Sequence, residues 1–213
     1  MGRTIPPRKK VEGIWSVGID MSKNETGISV FSPKKDKSYQ TVIDRKTVVA
    51  DDHTASMGHV FYSQTATNLI IAFIKQHIPD FKNCNIVLED YAYGAKGRTF
   101  EIAEMCGLLK WKLFYLCYLP PERLWLCSIQ HMKMFAGGGG NCAKEVILKK
   151  VWQQWAFDTD NNNIADAYVL SRICECISLK GVVKKTKLTK KRLKVLKKVE
   201  KYNGRSMNLK VDI

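Results

Sequence analysis

Three carboxylate residues stand where they could meet at one edge of a β-sheet. Asp20 ends or interrupts the short apolar strand "VGID", Glu89 ends the strand "NIVLE", and Asp166 lies one turn into the helix "NIADAYVL". Converging carboxylates repel one another unless cations neutralise them, and hard oxygen ligands of this kind suit Mg²⁺ or Mn²⁺. The pattern indicates a site for two metal ions, about 3.5–4 Å apart, that clamps the attacking and leaving oxygens of a phosphodiester.

Each carboxylate taken alone has a simpler explanation. Asp20 and Glu89 could be ordinary strand-end residues. Asp166 follows a run of three asparagines, residues 161–163, and could simply favour the N-terminus of its helix. The combination with a strongly cationic segment near the C-terminus is what favours a phosphodiester substrate.

Two lysines flank a loop of four glycines. Lys133 and Lys144 border the segment "MFAGGGGNCA", and glycines let a backbone approach a phosphate closely. We expect Asn141 to cap the helix that follows, whose N-terminus would favour an anion. The motif GxxxxGK is absent, which excludes a nucleotide-binding P-loop. A flexible linker with surface lysines is the simpler alternative.

Aromatic and basic residues follow Glu89 directly. Tyr91 and Tyr93 share this segment with Lys96 and Arg98. Aromatic rings mixed with cations can stack on unpaired bases, so these four residues are candidate DNA contacts. Packing of both tyrosines under the sheet edge explains them equally well.

The positive charge is concentrated near the C-terminus. The chain has a formal net charge of +15, and residues 180–213 hold 13 Lys and Arg against 2 Asp and Glu. Cationic segments of this kind bind polyanions, most often nucleic acid, although a solvated tail is the alternative. Apolar residues recur at helical spacing within residues 184–202, which predicts a basic amphipathic helix. We expect it to contact DNA backbone outside the catalytic core.

Length and composition fit one sizeable domain of an intracellular protein. The chain has 213 residues, of which 45% are hydrophobic, and no run of about 18 apolar residues predicts a membrane span. The seven cysteines are odd in number and form no CxxC pair, which favours reduced thiols in a cytoplasmic-type compartment. Residues 1–13 are predicted to be a disordered basic arm, residues 14–180 the folded domain, and residues 181–213 a Lys-rich tail.

Hydrophobic periodicity predicts a layered α/β domain. Three strands joined by polar turns come first, and helices and strands then alternate. The predicted strands are 14–19, 27–31, 38–49 and 85–94, with a fifth beginning at 123; the predicted helices are 59–78, 98–116, 142–155 and 164–179. Val60 and Leu69 are among the residues expected to form the apolar side of the first helix.

Four motifs together resemble a known family. They are "GIDMSKNETGISVF", "IVLEDYAYGAKG", "HMKMFAGGGGNCAKEVI" and "NNNIADAYVLSRI", and they span roughly residues 14–178. Their order and spacing are similar to those of RuvC-like Holliday junction resolvases, with the phage and poxvirus versions nearest in character.

The resemblance implies an RNase H-like fold, a five-stranded mixed sheet with helices on both faces. It implies a Mg²⁺-dependent homodimer, with two ions per active site, that resolves four-way DNA junctions by paired nicks. A phage-encoded version would act in the bacterial host cytoplasm. Asp20, Glu89 and Asp166 match three metal-binding carboxylates, while Lys133 and Lys144 match basic positions near the scissile phosphate.

The sequence departs from the family at the position of a fourth metal ligand. The family usually has Asp three residues before the last carboxylate, whereas this chain has Asn163. An amide brings no negative charge, so the metal would be held more weakly. Either the natural protein manages with Asn163, with help from Asp160, or the chain carries an inactivating Asp→Asn change. The departure keeps open a non-catalytic protein that binds branched nucleic acid. An actin-like ATPase or sugar kinase is a further alternative, for which the chain is short.

The helix predicted for residues 98–116 has a broad apolar side. Phe100, Ala103, Gly107, Leu108 and Trp111 lie on it. Core packing explains this side, and so does a two-fold interface, which two coupled nicks would require.

Overall fold

Five strands form one mixed β-sheet in the order β3-β2-β1-β4-β5. The computed structural model describes residues 14–48, 55–90, 99–179 and 188–206. The strands are β1 (Trp15–Asp20), β2 (Glu25–Ser32), β3 (Lys37–Asp44), β4 (Cys84–Asp90) and β5 (Leu124–Ser128). The first three are antiparallel neighbours, whereas β4 pairs in parallel with both β1 and β5.

Helices cover both faces of this sheet, which confirms the predicted RNase H-like architecture. Within the described ranges they are α1 (Arg45–Val48), α2 (Ala55–His77), α3 (Thr99–Trp111), α4 (Ile129–Phe135), α5 (Lys144–Trp155), α6 (Asn162–Ser178) and α7 (Lys190–Ser206). A π-helical turn, Lys112–Leu116, extends α3. In the described part of the chain, no helix is long and apolar enough to cross a membrane.

Strand β1 separates two hydrophobic cores. Its side chains alternate between the faces of the sheet, so Val17 and Ile19 enter the core formed with α2 and α3. The second core lies on the opposite face and contains residues of α4, α5, α6 and α7 together with Val87 of β4. The residues of β1 that face this second core are Ser16, Gly18 and Asp20.

Two residues of α2 do not occupy the predicted apolar side. Val60 is 65% exposed and Leu69 is 43% exposed. The buried stripe instead recurs every fourth residue, as Tyr62, Ala66, Ile70 and Ile74. The sequence pattern correctly placed Ile70 and Ile74 on this stripe, but a pattern based on large apolar residues passed over the small Ala66.

Several predicted boundaries shift for local reasons. The third strand was predicted to reach residue 49 but ends at Asp44, whose carboxylate accepts a hydrogen bond from the Lys46 amide at 2.9 Å. This bond starts the short helix α1. The strand predicted from residue 123 likewise ends at Ser128, whose side chain caps α4 by accepting from the His131 amide.

The predicted basic amphipathic helix is present as α7. Val195 and Val199 are fully buried and Leu196 is 8% exposed, and all three join the second core. The Lys-rich C-terminal segment therefore contains a helix that packs on the sheet domain.

Candidate active site

Asp20 and Glu89 lie side by side because of the strand register. Strands β1 and β4 are parallel, with Ile19 opposite Leu88, so the next residues along both strands are the two acids. Both side chains point to the face that α6 covers, and the carboxyl groups are hydrogen-bonded to each other. Asp20 is the last residue of β1 and is 6% exposed, so it ends the strand and does not interrupt it.

Two glycines bring α6, and with it Asp166, close to these acids. A Cβ atom at Gly18 would lie 2.1 Å from the carbonyl oxygen of Ala167, and one at Gly27 would lie 2.1 Å from that of Asn163. Any side chain at either position would push the helix away from the strands. Gly27 is also the pairing partner of Asp20, so the close approach occurs at the site itself. Asp166 is 5% exposed.

The three carboxylates perturb one another. Burial raises the pKa of Asp20, while its hydrogen bond with Glu89 opposes the rise. Burial and the charge of Asp20 raise the pKa of Glu89 well above its usual range. Burial, with a smaller contribution from Asp20, raises the pKa of Asp166 to about 7. Raised pKa values favour the protonated, neutral carboxyl groups in the absence of metal, and a bound cation would favour the charged forms instead.

Lys144 and Lys133 both face the carboxylates. The positive charge of Lys144, the first residue of α5, acts on Asp20, Glu89 and Asp166 alike. The charge of Lys133 acts on Asp166, and its Nζ donates to the Cys142 carbonyl oxygen at 2.8 Å. The glycine loop therefore folds so that both lysines reach one site.

The predicted helix cap in this loop is wrong. The N-cap of α5 is Ala143, with no side-chain hydrogen bond to the helix, and not Asn141. Cys142 donates its amide to the Gly139 carbonyl oxygen at 3.1 Å. This turn within the glycine loop adds residues before the helix, so α5 begins at Lys144 instead of 142.

Asn163 has a partner that sequence reasoning missed. Its Nδ2 donates to Oε2 of Glu25 at 2.7 Å, so its Oδ1 points away from Glu25. Asp160 is exposed in the loop before α6, and it is Glu25 that brings a further negative charge to this position. The only sequence signal was indirect: Glu25 lies two residues before Gly27, so both face the same side of β2.

The available donor atoms are carboxylate and amide oxygens, which are the ligands that Mg²⁺ and Mn²⁺ prefer. In the arrangement of the described residues, no three His, Cys, Asp or Glu side chains already form a group that could hold a metal ion. The chemistry of the donor set fits these cations, although the carboxylates would have to rearrange to surround one.

The candidate aromatic and basic DNA contacts lie outside the described residues. They are Tyr91, Tyr93, Lys96 and Arg98, which follow the last residue of β4. Their role stays a prediction.

The predicted apolar side of α3 is on the surface. Phe100 is 83% exposed and Trp111 is 49% exposed. The residues of α3 that enter the core are Met105, Cys106 and Leu109. Core packing therefore does not explain the exposed aromatic residues.

Comparisons with known proteins show a similarity of fold to solved structures. No protein-family model matches the chain, and no curated protein matches it in sequence. A structure of RuvC from Thermus thermophilus is 14% identical, with a TM-score of 0.53, and the alignment covers 74% of this chain and 90% of RuvC.

A second structure, of the same RuvC in complex with Holliday junction substrate, gives a TM-score of 0.53 at 13% identity, with the same coverage. The chain therefore has a RuvC-like fold, as the resemblance predicted.

Proposed function

We propose that this protein is a metal-dependent endonuclease that resolves four-way DNA junctions by paired nicks. The observation that carries the proposal is the meeting of Asp20, Glu89 and Asp166 at the edge of a RuvC-like sheet, with Lys144 acting on all three. Burial raises the pKa of all three carboxyl groups, and Asp20 raises those of Glu89 and Asp166 further; such perturbed groups are costly for a fold and cluster at functional sites.

In this proposal the three carboxylates bind divalent cations, Mg²⁺ or Mn²⁺, with Asn163 contributing its amide oxygen. When bound, two such ions supply a nucleophilic water and stabilise the leaving oxygen. Lys144 and Lys133 neutralise the charge that develops on the scissile phosphate. Glu25 orients Asn163, since its carboxylate accepts a hydrogen bond from the amide nitrogen and so leaves the amide oxygen as the metal ligand in this proposal.

Paired nicks require two active sites, and we propose a homodimer. The exposed aromatic residues of α3, Phe100 and Trp111, are suited to face a second copy across a two-fold axis. An isologous interface uses the same surface of both subunits, and the start of α3 follows the segment that leaves the catalytic strand β4.

The proposal is tested by incubating the protein with a synthetic four-way junction and with linear duplex of the same sequence, with and without Mg²⁺. We expect symmetric nicks in the junction only when Mg²⁺ is present. Junction binding without nicking at any divalent-ion concentration would favour instead a non-catalytic protein that binds branched nucleic acid.

A further inference from the structure

Helix α7 braces the helices that bear the two site lysines. Its Arg192 donates from Nε to the carbonyl oxygen of Phe135, the last residue of α4, at 2.9 Å. The Arg192 guanidinium also lies 5.0 Å from the ring centroids of Phe135 and Trp155, and Trp155 ends α5. One side chain of α7 thus contacts both helices, at the end of each.

A second contact reaches the glycine loop itself. Lys191 of α7 donates from Nζ to the carbonyl oxygen of Gly138, which lies between Lys133 and Lys144 in the chain. A side chain at Gly138 would crowd this loop, because a Cβ there would lie 2.6 Å from Sγ of Cys142. The loop, Lys133 and α7 therefore form one packed unit.

The side of α7 that faces away from the second core carries a row of lysines. Lys190, Lys194 and Lys197 are exposed and follow the spacing i, i+4, i+7, which places them on one face of a helix. Val195 and Val199 are fully buried on the other face. No acidic residue occurs between Lys190 and Val199, so the row is uncompensated along the helix.

We propose that α7 is a second DNA-contacting element of this protein. Its row of Lys190, Lys194 and Lys197 binds the phosphate backbone of duplex DNA, while Lys191 and Arg192 of the same helix contact the glycine loop and the end of α4. The inference rests on the proposed function, since it names a further surface for the same substrate. Phosphate contacts of this type are independent of sequence and sensitive to salt.

The test is a substitution of the row, because deletion of α7 would uncover the second core. The triple variant Lys190→Gln/Lys194→Gln/Lys197→Gln is compared with a control of equal charge change, Lys34→Gln/Lys35→Gln/Lys37→Gln. The control lysines lie in and beside the β2–β3 turn, at the opposite edge of the sheet from Asp20. Affinity for a junction and for linear duplex is measured against salt in metal-free buffer, which prevents cleavage.

We expect the row variant to bind both DNAs more weakly, with the log–log salt slope reduced by about 0.9 for each phosphate that the row no longer neutralises. The control should keep the wild-type slope, and a variant with arginine at the three row positions should restore it. An unchanged slope in the row variant, with wild-type protein that binds and cuts junctions, overturns this inference alone.

Two other results distinguish the remaining alternatives. Wild-type protein that binds neither DNA contradicts the proposed function as well as this inference. A row variant that keeps its DNA affinity but no longer binds vesicles containing anionic lipid assigns α7 to a membrane surface instead, and overturns the inference.

Discussion

Neighbouring residues of β1 have different surroundings on the two faces of the sheet. Val17 and Ile19 of β1 are fully buried against α2 and α3, and their contribution is hydrophobic. Gly18 and Asp20 face α6, where the helix lies so close that a Cβ at Gly18 would meet the backbone of Ala167. Both faces carry a hydrophobic core, but the residues that β1 contributes differ: apolar side chains on one face, and on the other a glycine that allows close approach and a buried acid.

This difference shows why the acids are tolerated. Val17 and Ile19 of β1 and Ile86 and Leu88 of β4 are buried in the core on the other face, and the parallel register of the two strands places Asp20 beside Glu89. The face that α6 covers then holds the buried Asp20 and Asp166 and the partly buried Glu89, although each has its pKa raised. Adding side-chain volume where α6 approaches the strand should therefore lower stability, whereas neutralising a buried carboxylate should raise it.

The largest effect is expected from adding a methyl group where the helix touches the strand. Gly18→Ala should lower the free energy of unfolding by about 3 kcal/mol or more, because the clash is with backbone and cannot relax by a rotamer change. Chemical denaturation measures it. Gly107→Ala is the matched control, since nothing lies within 4 Å of a Cβ there, and it should stabilise α3 by about 1 kcal/mol. Equal stability of the two variants would mean that α6 does not lie as described.

The next effect concerns buried charge and depends on pH. The pKa of Asp166 is about 7 in the folded protein against an ordinary 3.8, so the folded state binds more protons between these values. Stability is therefore lost as pH rises from about 4 through 7, and Asp166→Asn should remove that loss.

In metal-free buffer the Asp166→Asn variant should exceed the wild type in stability at pH 8, by roughly 1 to 4 kcal/mol, and match it near pH 4. Thermal melts across this pH range provide the measurement. A variant that is less stable than wild type at pH 8 would contradict the buried, charge-coupled environment assigned to Asp166.

A smaller effect should follow from the contact between Glu25 and Asn163. Glu25→Gln removes the acceptor charge that orients the amide, and we expect the Mg²⁺ requirement to rise about tenfold, as is typical for residues that position metal ligands. Asn163→Asp should lower the Mg²⁺ requirement and destabilise the metal-free protein, because the new carboxylate would face Glu25.

The double variant Glu25→Gln/Asn163→Asp reverses the polarity of this hydrogen bond and keeps the net charge. It should restore metal-free stability relative to Asn163→Asp alone. Calorimetric titration with Mn²⁺ reports binding separately from cleavage. Additive effects of the two substitutions would show that the residues do not act as a pair.

The smallest effect on the stability of the chain should come from the exposed side of α3. Phe100→Ser should change the free energy of unfolding of the monomer by less than about 0.5 kcal/mol, because the side chain is 83% exposed. The same substitution should weaken the proposed homodimer, as measured by sedimentation. A protein that is monomeric with or without Phe100 would leave this face without the proposed partner.

The sequence predicted the elements that follow from local pattern and missed what depends on three-dimensional contact. The strands that carry Asp20 and Glu89, and the helix that carries Asp166, are present where periodicity and the family resemblance placed them. Val60 and Leu69 were misplaced because the buried stripe of α2 uses Ala66, which a hydrophobic pattern undervalues.

The contacts of Asn163 could not be predicted in the same way. Its partner Glu25 is 138 positions away in the chain, and neither a turn signal nor a periodicity relates them. The packing of α7 was also beyond the sequence, because a basic amphipathic pattern fits a nucleic-acid arm, a membrane surface and a packed helix alike. The contacts of Arg192 and Lys191 show that α7 is a packed helix.

The face of the sheet that α6 covers carries, in our proposal, a metal-dependent nuclease site. Its most direct test is the Asp20→Ala variant, assayed with Mg²⁺ on a four-way junction, with junction binding measured in parallel. We predict that cleavage falls by at least about 10³-fold, since one of the metal ligands is removed, while DNA affinity is kept or rises, since a negative charge leaves the phosphate site. Cleavage at the wild-type rate by Asp20→Ala would contradict the assignment of this face as the active site.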